Sequence, residues 1–396
     1  RGALTFMPFL KKVVFLTNSN FSSVLLSLLL LATTVSLGNT SINIMQKTIQ
    51  KILEVAVNAP SGENAQPWKF GIHGNKIHVF NIPERDQSPY NFRQRGSYVA
   101  HGTMLENIVI TASAFGFLVK LQLFPDKNNP DLVAIASIEG PTTKKDPLYP
   151  YIIERVTNRK PYKKTPLTQE KHHAILNAAS EIGGGKVLLT DKREEIKILS
   201  LVGSMNERLA LENELIHNFL FSHINWTDEE NQEKKLGFDI KTLELPLPAR
   251  VMFKLFRHWS VLKIFNKIGA SKAVWKQNGI VYASSSAVGV ITVLGSDDED
   301  FVIAGRIMQR VWLTATKLGL SLQPMTGVLF FMQRIFAENF EPFTSSQVEV
   351  IKESYENVRR VFKIQDGIVP MMFRIGYGDP PTAQSLKLPP IIINLQ

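Results

Sequence analysis

The sequence predicts an α+β protein of two fused, pseudo-symmetric halves, each a mixed sheet packed with helices around a long central helix. Two observations carry this. Strand-like and helix-like stretches alternate along the chain after residue 41, and one long apolar helix occurs twice with its small residues in register. The composition agrees: 396 residues, 44% hydrophobic and 20% charged, suit a globular chain long enough for two domains or two fused halves.

Residues 1–40 stand apart. From Val13 to Gln46 there is no charge, and Ser22 to Leu37 is an unbroken apolar run behind Lys11 and Lys12. As a helix it would be about 24 Å long, short of a hydrocarbon core of about 30 Å. It fits an uncleaved signal, a short membrane anchor over 13–38, or a translated segment upstream of Met7, and no Ala-x-Ala follows it. The first two readings lead, which makes the expected location membrane-associated, with cytoplasmic next.

Ile42 to Asn58 has apolar residues at helical spacing, and Pro60 stops it. Lys76 to Asn81 (KIHVFN), Leu132 to Ile138 and Lys186 to Thr190 read as strands, the last behind a Gly184-Gly185 turn. Ala287 to Leu294 is a further apolar strand, followed by an acidic turn, Asp297 to Asp300. The repeat then aligns Tyr98–Phe117 with Phe301–Leu320 without a gap, pairing Gly102 with Gly305, Ala112 with Ala315 and Gly116 with Gly319. Each copy is a buried helix with a small residue near its start and a glycine at its end. The expected division is 1–40, a first half over 41–150, and a second half over 151–396 carrying an insert at about 218–282.

The net charge of +10 is local. Leu245 to Asn278 holds seven Lys/Arg and no acid, and Pro141 to His172 holds a second excess. Neither has the interleaved aromatics or the module of a nucleic-acid binder. In 249–276 the basic residues form a stripe that changes face near Ser260, so two short helices are expected there, serving as a lid or lying on an anionic membrane. No cysteine is present, His172-His173 reads as a solvated pair, and no metal-ligand spacing occurs, so no metal is expected.

The stretch NAPSGENAQPW, Asn58 to Trp68, sets Ser61, Asn64 and Gln66 between two prolines. It reads either as a helix stop with a turn or as a donor-rich ligand loop. Three more stretches join it: IIERVTNRKPY (Ile152 to Tyr162), LQPMTG (Leu322 to Gly327) and RIGYG (Arg374 to Gly378).

Together these four resemble the signatures of the FMN-dependent nitroreductase family, in its two-half, single-flavin branch, over roughly Ile44 to Leu388. RVTNR is similar to that family's Arg-x-Ser/Thr-x-Arg opening, here in mid-chain. The resemblance implies one flavin site completed within one chain, with no dimer required. The reciprocal site lacks its Arg-x-Ser-x-Arg stretch and has ASEIGGG in place of a Pro-Ser loop. It further implies FMN as cofactor, NADH or NADPH as transient donor, and a small oxidised acceptor such as a nitroaromatic or quinone. Arg155 and Arg159 would hold the phosphate or ribityl chain, with Thr157 adding a hydroxyl. Ser61 and Asn64 would meet the ring edge or ribityl chain, Pro324, Met325, Thr326 and Gly327 would approach the ring, and Arg374 would complete the set. The flavin carries the chemistry, so no catalytic side chain is expected. An FMN-holding protein, with the insert covering the ring and little turnover, is the alternative.

Overall fold

The computed structural model describes residues 44–395. The chain divides into two units, Arg1–Lys51 and Ile52–Gln396. Of the first, residues 44–51 are described, and they open a helix over 44–56. Among the described residues no helix is long and apolar enough to cross a membrane. The apolar stretch expected as a signal or anchor lies outside the described residues.

Within Ile52–Gln396 two sheets have the same strand order. In the first, β1 (Trp68–His73) and β2 (Lys76–Asn81) form a hairpin, and β3 (Phe117–Leu123) and β4 (Leu132–Pro141) complete the order β1-β2-β4-β3. The alternation in KIHVFN buries Ile77 and Val79 on one face, which fixes the register. After β5 (Tyr162–Lys163), the second sheet has β6 (Gly185–Thr190), β9 (Ala287–Val293), β11 (Ile368–Gly378) and β10 (Ser321–Pro324) in the order β6-β9-β11-β10. Every neighbouring pair in these two paths is antiparallel. In each sheet the long helix follows the second strand of the path: Arg95–Ala114 after β2, Asp298–Lys317 after β9. The first sheet gains one more strand from the chain's end, because β12 (Ile392–Ile393) pairs in parallel with β1. The tail, which the sequence reading groups with 151–396, therefore pairs with the sheet built by β1 to β4.

The two long helices cross at their glycines. A Cβ on Gly102 would collide with the carbonyl of Val302 and stand 2.9 Å from Cα of Gly305; a Cβ on Gly305 would collide with the carbonyl of Val99. One turn on, Gln309 Nε2 donates to Asn107 Oδ1 at 2.7 Å, and Arg310 Nη1 to Glu106 Oε1 at 2.8 Å. Glu106, 1% exposed, is also held by Arg306 at 2.9 Å. A buried carboxylate flanked by two guanidiniums adds little net stability over apolar packing, but removing one partner is costly, so the crossing has a single register.

Between β6 and β9 lies the insert. It starts with the helix Arg193–Glu212, which packs along Ala270–Tyr282, and folds around its own apolar cluster of Leu211, Phe221, Ile224, Ile240, Phe256 and Leu262. A small parallel pair, β7 (Ile224–Asn225) and β8 (Phe238–Asp239), sits in it. The basic stretch forms three helices rather than two: Leu247–Phe256, Trp259–Lys267 and Ala270–Tyr282. The second break is made by Gly269, whose φ of 91° no side-chain-bearing residue adopts readily.

Candidate functional site

The Asn58–Trp68 loop is built at a conformational cost. Glu63, Asn64 and Gln66 all have left-handed backbone, at φ 44°, 56° and 50°. What holds them is a set of side-chain bonds. Ser61 Oγ accepts from the Gln66 amide at 3.0 Å. Asn64 Nδ2 donates to the carbonyls of Lys235 and Leu386, both at 3.0 Å, and Gln66 Nε2 donates to Lys235 O at 2.7 Å. The Leu388 amide donates to Gln66 Oε1 at 2.8 Å. Lys387 Nζ donates to Ala59 O and Asn64 Oδ1, each at 2.8 Å. The loop is polar because it clasps the C-terminal tail and the insert, so the amide of Asn64 acts through Lys387.

Arg155, Thr157 and Arg159 come to the same place from the segment between β4 and β5. The helical turn Tyr151–Glu154 ends at Arg155 in extended backbone, and Thr157 and Asn158 bind the Leu322 position of β10. Arg155 stacks on the Trp312 ring at 4.5 Å and gives Nη2 to Asn58 O at 3.0 Å, while its buried Nε has no partner. Arg159 gives Nη1 to Thr242 O at 3.0 Å and lies over the Phe238 ring. Ser61, Asn64, Arg155, Thr157 and Arg159 line one cleft together with Lys387. It holds about 520 Å³ of empty space, mouth included.

The cleft is electrostatically unfinished. Arg155, Arg159 and Lys387 make no ion pair with a carboxylate of the described residues. Burial pulls the Arg155 guanidinium down to about 10 and also lowers Arg159. Burial, then the charge of Arg155, pushes the Lys387 ammonium well below its ordinary value. Three basic side chains lining one cleft without a carboxylate partner among the described residues are complementary in charge to an anion with several acceptor oxygens.

The remaining expected residues do not reach this cleft. Met325 gives its amide to Met372 O at 2.7 Å and its side chain fills the space over Gly203, where a Cβ would meet Sδ at 2.8 Å. Pro324 ends β10, Thr326 is the N-cap of the helix Gly327–Phe336, and Gly327 backs directly onto the side chain of Asn206. Arg374 is fully buried: Nε donates to Gln323 Oε1 at 2.7 Å, Nη2 to Lys160 O at 2.8 Å, and the guanidinium lies 4.0 Å over Tyr162 and 5.0 Å over Tyr282.

A buried polar seam joins the two groups. Tyr90 Oη, Asn206 Oδ1 and Glu207 Oε2 are buried side by side, Tyr90 facing Asn206, with no well-formed hydrogen bond to any of the three atoms. Glu207 Oε1 accepts from Tyr282 Oη at 2.7 Å. Burial raises the Glu207 carboxyl to about 7, against the bond from Tyr282 and the charges of Arg159 and Arg374. Thus Arg159 faces both the cleft and Glu207, and Asn206 faces Gly327. Sequence reading missed Lys387, Asn206 and Glu207. The one available signal for Lys387 was that it is the only charge between Thr382 and Gln396. Among the described residues no group of three His, Asp or Glu could hold a metal ion.

No protein-family model matches the chain. An uncharacterised protein of Mycobacterium tuberculosis is 24% identical over 349 residues, 86% of this chain and 47% of its own length, so the chain spans just under half of that relative. A second protein of that organism, described as a putative NAD(P)H nitroreductase, is 22% identical over 292 residues, 72% of this chain and 77% of its own. The chain is similar to nitroreductases. Among solved structures, the FMN-dependent nitroreductase of Mycobacterium smegmatis in complex with NADPH is 11% identical, covering 58% of this chain and 86% of that one at a TM-score of 0.34. A nitroreductase with bound FMN from Bacteroides fragilis is 10% identical, covering 63% and 99%, also at 0.34. Superpositions this loose leave the contents of the site to be read from the chain's own residues.

Proposed function

We propose that the chain is an FMN-dependent oxidoreductase of nitroreductase type, drawing electrons from NADH or NADPH and passing them to a small oxidised acceptor, nitroaromatic or quinone-like. The observation that carries this is the pairing of an anion cradle with a seam of orphaned polar atoms. FMN presents both complements, a phosphate near two negative charges and a flat ring with a polar edge. When bound, it supplies the redox chemistry.

The residues divide the work. Arg155 and Lys387 would hold the phosphate, whose charge would restore the ammonium form that burial disfavours in Lys387. Asn64 fixes Lys387 by accepting from Nζ, and Ser61 and Thr157 line the walls. Arg159 lines the cleft and faces Glu207, where its charge would favour a flavin carrying added negative charge. Tyr90, Asn206 and Glu207 would supply polar partners to the ring, with the segment Pro324–Gly327 backing Asn206. Arg374 acts behind the site, setting Gln323 and the Asn158–Lys160 backbone.

The two halves arose by duplication in this reading, supported by the shared strand order and the reciprocal glycine crossing. One chain then holds one flavin, because the loop before β6, ASEIGGG, offers nothing like the Asn58–Trp68 donors. The test is an FMN titration followed by absorbance and fluorescence. One FMN per chain is expected; two per chain, or none with excess FMN, sinks the proposal. A second reading, an FMN-holding protein with little turnover, draws on Phe238 and Thr242, through which the insert walls the cleft. Bleaching of bound FMN by NADH or NADPH decides for the enzyme, and persistent yellow colour for the holder.

A further inference from the structure

The three helices between Leu247 and Tyr282 have a surface that the candidate site does not use. None of their residues lines the cleft; the insert reaches it through Phe238 and Thr242. Their inner faces are accounted for by Phe256, Leu262 and the side chains packed on them. Their outer faces carry large aliphatic residues in water: Leu247, Ile264, Ile268 and Ile280 are 75, 65, 82 and 67% exposed, with Val251 and Leu255 beside them.

These residues recur with lysines at helical spacing. The first helix turns Leu247, Val251, Lys254 and Leu255 outward; the second, Lys263, Ile264, Lys267 and Ile268; the third, Lys272, Lys276 and Ile280. Between residues 249 and 276 there are seven Lys/Arg and no acid, and none of the seven is in an ion pair with a described residue. The acidic helix Asp228–Lys234 bounds the face near Arg257, which stacks on Trp226 at 5.7 Å.

From this we infer that the Leu247–Tyr282 helices dock on an anionic lipid surface, lying in its interface with aliphatic side chains among the acyl chains and lysines among the headgroups. A second copy of the chain fits poorly, since a symmetric contact would bring seven cations against seven. Nucleic acid would neutralise the lysines yet leave the aliphatic residues in water. An anionic lipid surface satisfies both at once, through apolar burial and headgroup attraction together. No residue of these helices lines the cleft, so docking through them would leave the cleft's own lining residues uncovered by lipid contacts of the helices.

The test is sedimentation of the full chain with phosphatidylcholine vesicles and with vesicles containing one-third phosphatidylserine. The difference between the two lipids reports every basic stretch, Lys11, Lys12 and 141–172 included, so it is the charge-reversal variant that assigns it to the helices. The wild type should bind the anionic vesicles at least tenfold better, and the advantage should shrink as salt rises. K254E/K263E/K267E should abolish the difference, at roughly fivefold per charge lost near the surface. I264S/I268S should weaken anionic binding while leaving FMN occupancy at wild-type level. Equal binding of wild type to both lipids, or undiminished binding of both variants, overturns the inference. So does a wild type that pairs with itself through these residues in light scattering and leaves vesicles alone.

Discussion

Gly102 and Gly305 meet where the two long helices cross, each lying against the carbonyl three residues before the other. Neither helix can rotate to make room, because Glu106 is pinned by Arg306 and Arg310 one turn away. Gly102→Ala and Gly305→Ala should each cost about 2 kcal/mol or more in a denaturant melt, through overpacking against backbone. Gly140→Ala, where a Cβ meets nothing within 4 Å, should change little. An unaltered midpoint for both crossing variants would mean that the helices are not packed as described.

Lys387 is the contact that separates an FMN site from a structural clasp. Lys387→Gln keeps a donor toward Asn64 and Ala59 but removes the charge. FMN should bind about ten- to a hundredfold more weakly, and Arg155→Ala should do at least as much. Fluorescence quenching of FMN on titration measures both. Unchanged affinity in both variants would take the cleft out of consideration for the phosphate.

Arg374 should behave differently. Its guanidinium is enclosed by Tyr162 and Tyr282, so Arg374→Met leaves Gln323 Oε1 and Lys160 O buried and unpaired. The fold should lose about 3 kcal/mol in urea, and the protein that remains folded should bind FMN within a few-fold of wild type. A loss of FMN affinity without a loss of stability would return Arg374 to the site.

The Glu207 carboxyl gives the site a pH dependence. It is raised from 4.5 to about 7, so the neutral acid predominates below 7 and can donate to a ring carbonyl, while the carboxylate above 7 repels it. FMN affinity should fall by roughly tenfold per pH unit above about 7. Glu207→Gln should bind with a flatter profile, which separates this effect from ionisation of the FMN phosphate. The sign for folding without FMN is the same: a raised carboxyl contributes stability that is complete below 4.5 and lost as pH rises through about 7. A wild-type profile as flat as that of the variant would remove Glu207 from the ring edge.

What the sequence disclosed and what it withheld follow from the range of the interactions. β2 was read to the residue because alternation in KIHVFN is a local signal, and the long helices were aligned through glycines whose role is steric. The Arg155–Thr157–Arg159 triplet and the Ser61–Asn64 loop were picked out as a set, and the structure brings them to one cleft. Lys387 escaped notice because its partner Asn64 is 323 residues away. Arg374 was placed in the site because an arginine beside Gly-Tyr-Gly reads the same whether it faces a ligand or two tyrosines. Three helices were read as two because Gly269 marks its break by a backbone angle, while the lysine spacing runs on past it.

The pairing of β12 with β1 has a consequence for how the molecule is made. Strand Trp68–His73 leaves the ribosome well before Ile392–Ile393, so the first sheet keeps an open edge, and the clasp on Asn64 and Gln66 stays empty, until the residues from Leu386 to Ile393 have emerged. A chain cut short after Gly378 would have both sheets and both long helices, yet its Asn58–Trp68 loop would lack Leu386, Lys387 and Leu388 to hold three left-handed residues in place. Completion of the anion cradle thereby waits on Leu386–Leu388, and a chain ended before them would be recognisable by its unoccupied strand edge.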